Sequence, residues 1–216
     1  MPCRITFQPA TAKQGIVFRR TDCKNLPRIR AHVSEVSGSE RRTQLGKGGH
    51  AIHTVEHVLA AVTGMGIDDV TIDMDGPEPP ILDGSAAPFV AALSEAGLAS
   101  IDGEPEFLRL TEPVRIIDGA SVYEAYPSEG FELDVTIEFP HPLIGKQSRR
   151  FTITEESFAN ELSRARTFGF VHEVEALRAK GLIKGASLDN TVVLDDSDVL
   201  SGELRWNDEF VRHKAM

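Results

Sequence analysis

A chain of 216 residues with 41% hydrophobic side chains can bury a real core, either as one large domain or as two small ones. Its formal charge of −10 and pI near 5.2 exclude a general nucleic-acid binder, which needs a basic surface, yet leave room for a nucleotide held by a few local cations. Two cysteines, Cys3 and Cys23, provide neither a disulfide framework nor a thiolate zinc site, and no apolar run approaches the ~20 residues of a membrane span. The expectation is a soluble cytoplasmic protein without stable membrane insertion or an obligate protein partner.

Residues 4–8 and 15–19 cluster β-formers on either side of Pro9 and a polar turn, the pattern of a hairpin. From Thr54 the period changes: Val55, Val58, Leu59 and Val62 mark one face of a helix that ends near Gly64 and Gly66. Residues 69–74 return to strand. Gly76, Pro77, Pro79 and Pro80 then force an irregular loop before a second helix near residues 86–96. The Gly-, Pro- and acid-rich stretch 97–105 is the expected boundary between two α+β halves.

Beyond it, residues 131–139 alternate, with Phe131, Leu133, Val135, Ile137 and Phe139 on one side and Glu132, Asp134, Thr136 and Glu138 on the other, as in a strand with one wet face. Thr154 is placed to cap a helix with Glu155 and Glu156 in its first turn and Phe158 and Leu162 on its apolar side. A shorter helix is expected over 173–180, stopping at Gly181, and a short strand over 191–194. Asn207 is expected to cap a last helix carrying Asp208 and Glu209 in its first turn.

Chemistry concentrates in a few places. Glu56 and His57 set a carboxylate beside an imidazole at a helix start, the pair a metal hydrolase needs: an imidazole for the metal and a carboxylate for the proton of water. His53 and His57 are also spaced i, i+4, so a second metallohydrolase reading uses both. Alone this segment is a weak signal, as is His213 between Arg212 and Lys214 on the last helix. Residues 82–89 read as turn and cap chemistry. Residues 163–170 offer a hydroxyl flanked by Arg166 and two phenylalanines, which in isolation is more often packing with a surface arginine than a site.

Taken together and in this order, residues 53–57, 82–89, 163–170, 187–190 and 208–214, with Arg41, Arg42, Thr43, Leu45, Gly46, Lys47 and Gly48, resemble the UDP-3-O-acyl-N-acetylglucosamine deacetylases of lipid A biosynthesis. The resemblance covers nearly the whole chain. It implies an α+β fold of two similar domains, 1–103 and 104–216, each a β-sheet with helices on one face, the helices packed between the two sheets and the site at their junction.

It also implies Zn2+ held by His57 and His213, with His53 a bystander, and Glu56 activating the attacking water. Thr167 would donate to the oxyanion and Lys214 would supply positive charge. Phe168, Phe170 and the 171–184 segment would line a passage for the acyl chain of a small-molecule substrate, an acylated UDP-amino sugar. Arg166, with Arg164, Arg212 and Lys214, would meet its diphosphate. The family's third ligand, an aspartate four residues after the second histidine, falls just past Met216. An earlier strand and a Gly-Leu-His-Ser-Gly type loop precede the matched part. The chain is therefore expected to lack part of the site at both ends, and the alternative to an enzyme is a truncated, non-catalytic relative that keeps nucleotide-sugar or acyl-chain binding. Where relatives carry a capping serine, His53 leaves Thr54 as the expected cap.

Overall fold

The computed structural model describes residues 3–11, 13–103, 107–179, 185 and 187–216. It is a mixed α+β structure whose first sheet contains β1 (Ile5–Gln8), β2 (Ile16–Arg20) and β3 (Arg28–Arg30). A smaller sheet of β4 (Val36–Gly38), β5 (Gln44–Leu45) and β6 (Ile52–His53) leads into helix α1 (Glu56–Gly64), and the chain returns to the first sheet as β7 (Val70–Met74).

The expected hairpin does not form. β7 lies between the first two strands, antiparallel to β1 and parallel to β2, in the order β1-β7-β2-β3. The reason is burial: Val70, Ile72 and Met74 are all inside, so this apolar strand takes a central place. The parallel β2/β7 pair needs a crossover, and α1 lies on that path. The start of α1 also departs from expectation. Thr54 adopts a left-handed φ of 53° and donates its hydroxyl to Glu78, so Val55 becomes the N-cap residue and no side chain caps the helix.

Helix α2 (Ala87–Ala96) follows a turn in which Asp83 Oδ1 accepts from the Ser85 amide and hydroxyl and Ser85 Oγ accepts from the Ala87 amide, the cap chemistry expected of residues 82–89. β8 (Val114–Asp118) and β9 (Ser121–Ala125) form an exposed hairpin. β10 (Glu132–Phe139) pairs along its length with β11 (Gly145–Thr152), and its alternation is as read: Leu133, Val135, Ile137 and Phe139 are half-buried and their neighbours exposed. Phe131 stands outside the strand and is exposed.

Thr154 caps α3 (Glu155–Ser157) in a reciprocal capping box with Ser157, and a π-helical turn continues to Leu162, burying Phe158 and Leu162. β12 (Phe168–Phe170) runs directly into α4 (Val171–Ala179), which starts two residues earlier than expected; the expected end at Lys180 and Gly181 lies outside the described residues. β13 (Val192–Leu194) pairs with β12 in parallel. The last helix, α5 (Glu209–Ala215), has Asp208 rather than Asn207 at its N-cap, without a side-chain cap bond.

Two hydrophobic clusters result. The first gathers Phe18, Ile72 and Met74 of the sheet, Val58 and Val62 of α1 and Phe89 and Leu93 of α2, and it also takes in Phe151, Phe158 and Leu162 from the second half. The second contains Ile144, Val192, Leu194 and Phe210. Helix α5 joins them, since Phe210 belongs to the second cluster while Ala215 and Met216 pack against the first. That bridging helix carries His213. Among the described residues no helix is long and apolar enough to cross a membrane.

Candidate functional site

The first turn of α1 presents His57, 6% exposed, and α5 presents His213; their rings meet edge to face with centroids 5.4 Å apart and planes at 71°. They stand 156 positions apart in sequence and meet because α1 sits in the first core and α5 bridges the two. His213 Nδ1 lies 3.2 Å from the Ala165 carbonyl. A carbonyl only accepts, so this contact puts the proton on Nδ1 and leaves the Nε2 lone pair for a ligand, as outer-shell partners of metal-binding imidazoles do. Among the described residues no hydrogen bond engages either ring nitrogen of His57.

Burial lowers the His57 pKa to about 4, against a smaller opposite pull from Asp83. Burial and then the neighbouring His57 lower His213 to about 3. Both rings are therefore neutral near pH 7, the form that ligates metals. The sign of the linkage follows. Unfolded imidazoles protonate near the ordinary 6.5 and the folded ones near 4 and 3, so the unfolded chain binds more protons in that interval. The stabilising contribution is full above pH 6.5 and is lost as pH falls through the folded values. Denaturant melts of the metal-free protein should register a loss on the order of 2–3 kcal/mol from His57. His57→Gln should flatten that slope, and a slope unchanged by the substitution would contradict the assignment.

Glu56 precedes His57 and accepts a hydrogen bond from the Thr43 amide at 3.2 Å through Oε2. Desolvation raises its pKa above the ordinary carboxylate range. Lys214 is depressed first by desolvation and then by the Arg41 guanidinium, while Glu56 pulls it upward, so these charges feel one another across the site. The Lys214 ammonium stands 5.5 Å over the Phe168 ring. Phe168 packs against Phe210 and Phe139 with centroids at 5.0 and 5.4 Å and lies 6.2 Å from His213; Phe170 lies 6.1 Å from Phe139. An aromatic wall thus flanks the histidine pair.

The segment 165–167 is clamped from three directions. From α5, His213 holds Ala165 O, while Glu209 accepts from the Arg166 amide at 3.0 Å and from its Nε at 2.9 Å and Nη2 at 3.1 Å. Glu209 and His213, four apart, project from one helix face onto consecutive residues. From the turn before α2, Gly84 O accepts from the Thr167 amide at 2.8 Å, and from β13 the Val192 amide donates to Thr167 O at 2.8 Å. Gly84 has φ +81°, and a Cβ there would lie 1.9 Å from Asn190 O, so only glycine permits this approach. Arg205, donating at 2.9 Å to Asp83 Oδ2, closes the same turn.

The site residues expected from the sequence therefore fall into two groups. Glu56, His57, His213, Lys214 and Phe168 converge, with Thr167 next in the chain to the clamped Arg166. Arg166 differs: its Nε and one terminal nitrogen are taken by Glu209, with Nη2 also donating to Glu203 O, so what it supplies is the position of Thr167 rather than a free charge. Arg212 is likewise engaged by Asp208 and Glu161 O and stacked on Trp206. His53 lies in β6, ahead of left-handed Thr54, so it shares no helical face with His57; its buried Nδ1 has no hydrogen-bond partner among the described residues. Residues 180–184 and 186 lie outside the described residues. A surface groove of about 950 Å³ along Phe7, Gly66, Asp69, Gly97 and Ile101 opens by the C-terminal end of α1, the opposite end from His57, and is separate from this site.

Glu209 and Ala165 O were invisible to sequence reasoning. The one available signal was the spacing of Glu209 from His213. Among the described residues no group of three His, Cys, Asp or Glu side chains is arranged so that all three could hold one metal ion.

Comparison with known proteins adds the following. The family model for UDP-3-O-acyl N-acetylglycosamine deacetylase matches residues 1–216. A UDP-3-O-acyl-N-acetylglucosamine deacetylase of Bdellovibrio bacteriovorus is 43% identical over 216 residues, all of this chain and 72% of the relative. Those of Geobacter sp. and Brucella ovis are 42% identical over 213 residues and 43% over 217, covering 98% and 100% of this chain and 70% and 76% of theirs.

Proposed function

The chain belongs to the UDP-3-O-acyl N-acetylglycosamine deacetylase family, and from that premise we propose that it is a zinc-dependent amidohydrolase. Its reaction is hydrolysis of the N-acetyl group of UDP-3-O-acyl-N-acetylglucosamine to the free amine and acetate, in lipid A biosynthesis. The observation that carries this reading is the meeting of His57 and His213, two neutral imidazoles from distant parts of the chain, one with its tautomer set by Ala165 O. That donor set suits zinc, which takes imidazole nitrogen, and accounts for two of the three protein ligands a catalytic zinc normally has. His57 and His213 would hold the ion. When bound, zinc supplies Lewis acidity toward water and toward the amide carbonyl.

The chain's own residues do the rest. Glu56, fixed at Oε2 by the Thr43 amide, takes the proton of the attacking water. Desolvation makes its carboxylate a stronger base than an exposed one. The Thr167 hydroxyl, held in place by the clamp on its backbone, donates to the oxyanion that develops on the acetamide carbonyl, and Lys214 adds positive charge to the same region. Phe168 and Phe170 receive the acyl chain on an apolar wall.

The test measures acetate release and zinc binding together. The wild-type chain with zinc should release acetate and stop on chelation, and His53→Ala should leave zinc affinity unchanged within a factor of about two. Zinc binding that depends on His53 would overturn the ligand assignment. Substrate binding without turnover at saturating zinc would establish the non-catalytic alternative.

A further inference from the structure

Arg41 and Glu173 lie 132 residues apart in sequence, yet Arg41 Nη2 donates to Glu173 Oε1 at 2.5 Å. Arg41 stands in the turn between β4 and β5 with φ +57°, a backbone state that a non-glycine residue keeps only where its surroundings hold it. Two residues on, the Thr43 amide donates to Glu56. Glu173 is in the first turn of α4, three residues after Phe170, and its Oε2 is buried with no hydrogen-bond partner among the described residues. The turn is therefore tied at one end to the carboxylate of the site and at the other to the helix that continues its aromatic wall.

We propose that Arg41 and Glu173 form a positioning pair that sets the first turn of α4, and with it Phe170, and so determines which acyl chains the site accepts. The inference rests on the deacetylase reading and adds specificity to it. A fully exposed ion pair would contribute little. Here Arg41 is half-exposed, but the Glu173 side chain is only 23% exposed, with one oxygen buried and without a hydrogen-bond partner among the described residues, so removing the guanidinium leaves a partly buried carboxylate without its counter-charge. The cheapest relief is for the first turn of α4 to move toward water, which displaces Phe170. Contacts along an acyl chain are remote from the reacting carbonyl and are much the same in ground and transition states, so their loss raises KM and spares kcat.

The experiment compares wild type, Arg41→Ala, Glu173→Gln and the double variant on UDP-sugar substrates bearing a long or a two-carbon acyl group. KM for the long-chain substrate should rise about five-fold in Arg41→Ala and fall part of the way back in the double variant, where a neutral amide no longer needs a counter-charge, with the short-chain KM unchanged. Amide hydrogen exchange of the metal-free protein should quicken in residues 171–179 of Arg41→Ala and stay the same in α1. Equal loss on both substrates, or exchange in α4 unchanged by Arg41→Ala, would overturn the proposal. If the wild type releases no acetate, the deacetylase reading falls by itself, and the exchange measurement still decides whether the pair positions α4.

Discussion

Glu209→Ala is expected to destabilise the protein by about 3–5 kcal/mol and to lower the melting temperature by roughly 10 °C. Glu209 is fully buried, and its two oxygens accept from the amide, Nε and Nη2 of Arg166 and from the Arg205 amide. Truncating it strands a buried guanidinium, 9% exposed by residue, whose desolvation is then uncompensated. The damage reaches the site because the same helix holds Ala165 through His213, so zinc affinity should fall with stability. A double variant, Glu209→Leu with Arg166→Met, removes both charges and should recover most of the stability, as replacing both members of a buried ion pair by apolar groups often does. Chemical denaturation of the three proteins is the measurement, and a Glu209→Ala melt within about one degree of wild type would sink the argument.

The contrast between Glu209 and its neighbours marks the limit of what the sequence discloses. A carboxylate in a first helical turn reads as a solvated partner of the helix dipole, and Glu155 and Glu156 at the start of α3 are exposed as that reading requires. Glu209 has the same local signature but an opposite fate, because its environment is set by Arg166, 43 residues away. Local signals were legible: the alternation of β10, the Thr154 cap and the turn into α2 all stand. Non-local pairing was not. The hairpin expected of β1 and β2 fails because β7 enters between them, and nothing within either strand's own residues marks that insertion.

The site itself was legible as a set of residue types but not as an arrangement. Glu56, His57 and His213 could be singled out, with the family resemblance supplying their association; that α5 bridges two cores, and so carries His213 to His57, depends on packing no short window contains. Arg166 shows the reverse error. The family resemblance, not its own neighbours, gave it to the substrate's diphosphate, whereas Glu209 engages both its guanidinium and its amide, beside Thr167.

Glu56→Gln should lower kcat by about 10²–10⁴-fold with KM and zinc affinity little changed. Glutamine fills the same volume and can still accept from the Thr43 amide, so the helix start and His57 stay in place, while the proton acceptor is gone. The stability change has a definite sign. Desolvation raises the folded pKa of Glu56, so the folded protein binds more protons than the unfolded chain as pH rises through the interval between the two values. Its ionised carboxylate therefore works against folding at neutral pH, and Glu56→Gln should be as stable as wild type or more so. Loss of turnover with retained or increased stability is what a group held in an unfavourable state for its chemistry predicts. A merely structural glutamate would show the opposite, a melting point that falls along with activity. Single-turnover acetate release and a thermal melt on the same preparation decide between them, and wild-type kcat in the variant would remove Glu56 from the mechanism.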